Sequence, residues 1–325
     1  MRRFELRGIV AVAALVVSAV ALRAEEAAFE RTRDVIYGRK CGMALTMDVF
    51  CPKKQPNGAA IIAVVSGGWF SRAESINPAL YAPFLERGYT VFAVVHGSQP
   101  KFTIPEILED INRSVRFVRY HAKDYHIDSE KLGIIGASAG GHLSLMQGMA
   151  GDAGNPKAAD PIDRVSSRVQ AVTAFFPPTD LLNYGEKGRE MLARSFQRPY
   201  TAAVDYKTFD KTKALYLPVT DEKEQREISK RISPITHVTP DDPPTLLIHG
   251  DEDDLVPLQQ SKIMFEKLKE TGVPTELIVK KGAGHGWLNI HPDLVSCANW
   301  FDRYLLHKDV AAGEKKVETE PAKGQ

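Results

Sequence analysis

The chain has 325 residues, of which 43% are hydrophobic and 26% charged. That is ordinary globular composition, enough for one large domain or two small ones. The formal net charge of +1 argues against a nucleic-acid partner, because binding phosphates takes a concentrated basic surface.

In chain order, the first element is a targeting segment. Arg2, Arg3 and Arg7 make a basic start, Gly8 to Leu22 is an uncharged apolar run with small residues near its end at Ala19 and Ala21, and Arg23-Ala24 lead to Glu25-Glu26. This is the layout of a secretory signal peptide over residues 1–24. The run falls short of the ~20 residues that span a bilayer, so no stable membrane insertion is expected after the signal is removed. The protein is accordingly expected to be exported, to the periplasm or beyond.

Strand-like runs follow. Asp34 to Cys41 and Leu45 to Phe50 suit an antiparallel hairpin. Ile61 to Val65, Thr90 to Val95, Leu132 to Ile135, Ala171 to Phe176, Thr245 to His249 and Glu276 to Val279 read as short buried strands. Helical patterns lie between them: Pro105 to Tyr120, the segment after Ser138, Gln259 to Thr271, and Leu294 to Leu306. Strand–helix alternation of this kind predicts an eight-stranded, mostly parallel sheet flanked by helices, spanning residues 25–306.

Pro178 to Pro240 breaks the rhythm. The segment is polar, carries Tyr184, Phe196, Tyr200, Tyr206, Phe209 and Tyr216, and has no strong strand. It is expected to be a cap-like insertion over the carboxyl edge of the sheet, where open parallel sheets bind their ligands. Residues 307–325 are charged and rich in Ala and Gly, and are expected to be a disordered tail. Cys41, Cys51 and Cys297 read as small core residues, since Cys41 near the hairpin turn and Cys51 at its far end would not face each other.

Chemistry concentrates after the fifth strand-like run. Gly136-Ala-Ser-Ala-Gly140 has the G-x-S-x-G pattern between a buried strand and a helix, which is the context of a nucleophile elbow. The flanking glycines let the chain turn tightly enough to hold Ser138 above the sheet, at the positive end of the next helix. A serine hydroxyl needs a histidine base and a carboxylate to orient that base, here in the chain order Ser, acid, His. The loop after Thr245–His249 offers Asp251, Glu252, Asp253 and Asp254, and the glycine-rich loop Gly282-Ala-Gly-His-Gly-Trp287 offers His285. His142, on the helix after the elbow, reads as a packing residue, His249 as a partner of the acid loop, and His291 as the start of the last helix. His96 ends a strand at the functional edge and is a candidate pocket residue. His and Cys are nowhere clustered at zinc spacing, so no metal and no cofactor are expected.

From Asp34 to Leu306 the chain resembles the α/β-hydrolase esterases of the acetyl-xylan esterase, feruloyl esterase and hormone-sensitive-lipase-like group. The stretches that carry the likeness are Gly136-Ala-Ser-Ala-Gly-Gly-His-Leu143, Glu109-Asp110 to Arg116 leading to Tyr125-His-Ile-Asp-Ser129, and His249-Gly-Asp-Glu-Asp-Asp-Leu-Val-Pro257. The last matches the group's acid loop and thereby implies Asp253 among the competing acids. The group's His-Gly-Gly-Gly-Trp is here Val65-Ser-Gly-Gly-Trp69, keeping two glycines and the tryptophan. The resemblance implies an α/β-hydrolase fold and a Ser138–His285–Asp253 triad. It implies an oxyanion hole of the Ala139 and Gly68 amides with Trp69 in reserve; Trp69, Phe70 and His96, beside this edge of the sheet, are the expected substrate contacts. The expected reaction is hydrolysis of a small-molecule or polysaccharide-linked ester. An amide substrate on the same fold stays open, because Ser233-Pro234 and Pro243 to Gly250 share phrasing with prolyl oligopeptidases. The oligomeric state is left open.

Overall fold

The computed structural model describes residues 29–192 and 200–309. The expected signal segment, Phe196, and all but the first residues of the expected tail lie outside that range.

The described residues open with β1 (Phe29–Lys40) and β2 (Met43–Pro52), paired antiparallel. They are joined by Cys41 and Gly42, both at positive φ, as a tight hairpin of primed type requires. The main sheet continues through β3 (Ala60–Val65), the short helix α1 (Ala82–Leu85), β4 (Thr90–Val95), α2 (Ile104–Tyr120), β5 (Leu132–Ala137), α3 (Ala139–Ala150) and β6 (Ala171–Phe175). An insertion follows, with the small hairpin β7 (Lys207–Asp210) and β8 (Leu215–Pro218) and the helix α4 (Glu222–Arg231). The chain returns through β9 (Thr245–Gly250), α5 (Gln259–Thr271), β10 (Thr275–Lys280) and α6 (His291–Leu305).

The large sheet has eight strands in the order β1-β2-β4-β3-β5-β6-β9-β10. β1, β2 and β4 pair antiparallel, and the rest are parallel. Because successive side chains of a strand point to opposite faces, each buried strand feeds two cores. Ile62 and Val64 of β3 join Phe92, Ile134 and the α2 residues Ile107, Ile111 and Val115 on one face. Ile61 and Val65 join Val91, Ile135 and the α6 residues Cys297, Trp300 and Phe301 on the other. Covering helices on both faces explain why these strands are continuously apolar rather than alternating.

Two expectations are corrected. The insertion contains a hairpin after all, formed by strands of only four residues each with Phe209, Leu215 and Tyr216 exposed. Strands this short, with no buried face, leave no alternating pattern to read. Of the cysteines Cys297 is buried in the core and Cys51 packs against it. Cys41 is exposed and Cys51 half-buried, because Cys41 sits in the hairpin turn itself.

Candidate active site

β5 runs without interruption into Ser138, which sits at φ 54° and ψ −120° and precedes the first turn of α3. Such a backbone is costly for any side-chain-bearing residue, about 1–3 kcal/mol, and persists only where its surroundings leave no alternative. The neighbours show what leaves none. A Cβ on Gly136 would stand 2.3 Å from the carbonyl of Gly140, and one on Gly140 would stand 2.8 Å from the Val64 carbonyl oxygen. Both flanking glycines are therefore required by backbone contact. The Ser138 N–H donates to the Phe175 carbonyl at 2.9 Å, fixing the elbow to β6.

The Ser138 Oγ lies 2.9 Å from His285 Nε2, and His285 Nδ1 lies 2.7 Å from Asp253 Oδ2. A carboxylate can only accept, so Nδ1 carries the proton and Nε2 is left to accept from the serine hydroxyl. Asp253 is buried, and its other oxygen accepts the N–H groups of Leu255 and Val256, each at 2.9 Å. Burial alone would raise its pKa, but hydrogen bonds from His249, His285 and the Val256 amide outweigh it and hold the carboxyl well below the usual carboxylate range. Asp251 lies aside and accepts from Gly282 N–H at 2.7 Å. Asp254 is exposed.

Several residues support this series. His249 bonds Ser261 Oγ at 2.7 Å and donates from Nε2 to the Val256 carbonyl at 2.8 Å, while Nε2 also stands 3.3 Å from Asp253. It braces the acid loop, as its place at the end of β9 suggests. Phe176 was legible only as the last residue of a predicted strand. It leaves β6 at a positive φ and packs its ring 4.5 Å from that of His285.

Facing the elbow is a tight turn at the end of β3. Gly67 and Phe70 exchange both backbone hydrogen bonds, N–H to carbonyl at 3.0 and 2.9 Å. Gly68 and Trp69 form the bend between them, at φ 55° and 60°. The N–H groups of Gly68 and Trp69 lie outside the Gly67–Phe70 pairing. Across the gap, Ala139 is the first residue of α3, where no intrahelical carbonyl serves its N–H. Gln99 clamps the turn from behind. Its side-chain amide donates to the Gly68 carbonyl, and its backbone N–H donates to the Trp69 carbonyl at 3.2 Å. Nothing in its sequence context pointed to that role.

The expected pocket residues are distributed unevenly. Trp69 is buried and donates its indole N–H to His142 Nδ1 at 3.3 Å, so its ring is part of the framework. Phe70 is exposed. His96 is buried, its Nδ1 2.7 Å from the Gly97 carbonyl, and burial, opposed by that bond, lowers its pKa to about 4. Residues of the insertion reach both halves of the site. The Tyr184 hydroxyl donates to the Leu255 carbonyl in the acid loop at 2.9 Å. The Tyr200 ring lies against Gly68, where an added Cβ would meet its Cε1 at 2.2 Å. Tyr206 is buried with its hydroxyl on Ser229, and Phe209 is exposed on the hairpin. Among the described residues, no group of three His, Cys, Asp or Glu side chains could hold a metal ion, and no helix is long and apolar enough to cross a membrane.

The family model that matches this sequence, BD-FAE, spans residues 47–268, from the second strand through the acid loop into α5. The chain belongs to the BD-FAE family. Among its relatives is a probable carboxylic ester hydrolase, LipM, of Mycobacterium tuberculosis, 26% identical over 73% of this chain and 51% of the relative. Esterase LipQ of the same organism is 26% identical over 75% of this chain and 54% of its own length. The BD-FAE chain thus spans about half the length of these curated relatives. A truncated carbohydrate esterase from gut microbiota superposes on it with a TM-score of 0.70 and 25% identity, covering 86% of this chain and 98% of that one. An acetyl ester-xyloside bifunctional hydrolase from Caldicellulosiruptor lactoaceticus shares the fold, with a TM-score of 0.64 and 24% identity over 85% of this chain and 94% of that one.

Proposed function

We propose that the protein is a serine-dependent carboxylic-ester hydrolase that works through a covalent acyl-enzyme on short-acyl or polysaccharide-linked esters. The observation that carries this is the hydrogen-bonded series Ser138–His285–Asp253 at 2.9 and 2.7 Å, with the serine on a strained elbow. His285 takes the Ser138 proton as the oxygen attacks the ester carbonyl. Asp253 holds the imidazole in the accepting tautomer and stabilises its charged form. The amides of Ala139 and of the Gly68–Trp69 turn receive the developing oxyanion. His285 then protonates the leaving alcohol, and a water activated the same way releases the acid.

The insertion, residues 178–240, is the roof of the acyl and alcohol pocket on this proposal. Its contacts with the acid loop through Tyr184 and with the oxyanion turn through Tyr200 support that role. Ester chemistry on a carbohydrate is the class named for the gut-microbiota neighbour. Residues 1–24 are proposed as an export signal, which would put the enzyme where plant or algal polysaccharides are met.

The test is Ser138→Ala. The folded variant should lose hydrolysis of p-nitrophenyl acetate and of acetylated xylan, and should no longer be labelled by a fluorophosphonate that labels the parent protein. Near-parental turnover in the variant would sink the proposal. Preference for anilide over ester substrates in the parent enzyme would redirect it to amide chemistry.

A further inference from the structure

The Gly67–Phe70 turn carries an internal cost. Trp69 is not glycine, yet it sits at φ 60°, a left-handed conformation that side-chain-bearing L-residues disfavour. The Gly67–Phe70 pair and Gln99 hold its backbone, and its side chain shows a further hold. The Trp69 indole packs edge-on against His142, ring centroids 5.6 Å apart at 79°, and donates its N–H to His142 Nδ1 at 3.3 Å.

His142 is fully buried on α3, and its backbone N–H donates to the Ser138 carbonyl at 2.9 Å. Its Nε2 lies 2.7 Å from the carbonyl of Ile232, the residue that ends α4 of the insertion. One imidazole therefore joins the helix of the nucleophile, the turn opposite it, and the insertion. The partners dictate its protonation. An indole N–H only donates and a carbonyl only accepts, so Nδ1 must be bare and Nε2 must carry the proton. Burial, opposed by the Ile232 bond, lowers the His142 pKa to about 4, which keeps the ring in that neutral form. No other side chain presents an acceptor and a donor on opposite sides of a rigid ring.

We propose that His142 is a positioning residue for ester hydrolysis: through Trp69 it aims the amides of the oxyanion turn at Ser138, and through Ile232 it registers that turn to the seating of the insertion. The proposal rests on the assignment of Ser138 as nucleophile. Packing alone would leave the chemistry of the folded protein untouched, whereas a misaimed oxyanion turn weakens the transition state more than the bound substrate.

The experiment uses the full chain and the variants His142→Phe, Trp69→Phe and the double variant. Trp69→Phe keeps a ring and removes the indole donor, so it reports even where His142→Phe fails to fold. Each single change should lower kcat for p-nitrophenyl acetate about tenfold, the scale of one lost hydrogen bond, with KM little altered. The affinity for a trifluoromethyl ketone, which mimics the tetrahedral intermediate, should fall in parallel. The double variant should be no worse than the poorer single one, because both changes cut the same link. A fall in melting temperature alone, with kcat and ketone affinity unchanged, would overturn the proposal, and so would additive losses. Fluorophosphonate labelling of Ser138 in the parent separates the two levels. Labelling with an indifferent Trp69→Phe sinks His142 alone, and no labelling sinks the site assignment beneath it.

Discussion

Replacing Asp253 by Asn tests the orientation of the whole series with the loss of one formal charge and almost no volume. The carboxylate oxygens are not equivalent. Oδ1 accepts two backbone N–H groups at 2.9 Å, from Leu255 and Val256, while Oδ2 faces His285 Nδ1 at 2.7 Å and His249 Nε2 at 3.3 Å. An asparagine must place its single oxygen on one side. Putting the NH2 against the Leu255 and Val256 donors would leave both without an acceptor, at about 1–3 kcal/mol for each buried group. The oxygen therefore stays at the Oδ1 position and the NH2 turns toward His285. Nδ1 must then accept, the ring proton moves to Nε2, and Nε2 can no longer take the Ser138 proton. The expected loss in kcat is about 10⁴-fold, the size seen when a triad acid becomes an amide and equivalent to about 5 kcal/mol of transition-state stabilisation. The assay is steady-state hydrolysis of p-nitrophenyl acetate by the folded variant, with near-ultraviolet circular dichroism to establish folding. Asp251→Asn and Asp254→Asn serve as controls and should change kcat far less, since neither carboxylate touches His285. A loss under about tenfold for Asp253→Asn, or a larger one for Asp254→Asn, would refute the reasoning.

Gly68→Ala should lower kcat on the order of 10- to 100-fold and reduce the melting temperature, because the new Cβ meets the Tyr200 ring at 2.2 Å and the backbone sits at φ 55°. Gly67→Ala, where no atom lies within 4 Å of the added Cβ, should be mild in both assays. Stability should fall on acidification. His96 and His142 are buried with pKa values lowered to about 4, so the unfolded chain binds more protons than the native one below the ordinary histidine pKa of about 6.5. Their contribution is complete above about 6.5 and is lost as pH falls toward 4, at most roughly 3 kcal/mol for each. Differential scanning fluorimetry from pH 7.5 to 4.5 should show a falling melting temperature, with a shallower fall in His142→Phe, and a flat profile would contradict the burial of these rings.

The parts of this molecule that were legible in its sequence are those written locally. Buried strands announce themselves as short apolar runs, and all eight strands of the large sheet lie at the runs that predicted them. The elbow is legible because its constraint is local. Gly136 and Gly140 flank Ser138, and the backbone that most closely excludes a side chain at Gly136 is that of Gly140, although Gly140 itself is closed off by the Val64 carbonyl of β3. The acid needed more. Asp251, Glu252, Asp253 and Asp254 are all carboxylates, and only the family phrase around them singled out Asp253; in the structure its carboxylate meets two backbone N–H donors and two imidazoles.

What stayed hidden depends on contacts between residues far apart in the chain. Gln99 and Gly68, Trp69 and His142, His142 and Ile232, and Tyr200 and Gly68 are each separated by many residues, and no periodicity records such a pair. His142 shows the difficulty best. A histidine on the buried face of a helix is ordinarily a packed residue, and this one is indeed packed, with no exposed surface. Its consequence comes from the polarity of its two neighbours, one that can only give a proton and one that can only receive it. Burial and connection are not alternatives for such a group. A polar ring deprived of water must find both partners within the protein, and here one belongs to the turn facing Ser138 and the other to the insertion above it. The same desolvation that made the residue look structural is what makes it transmit the position of one element to another.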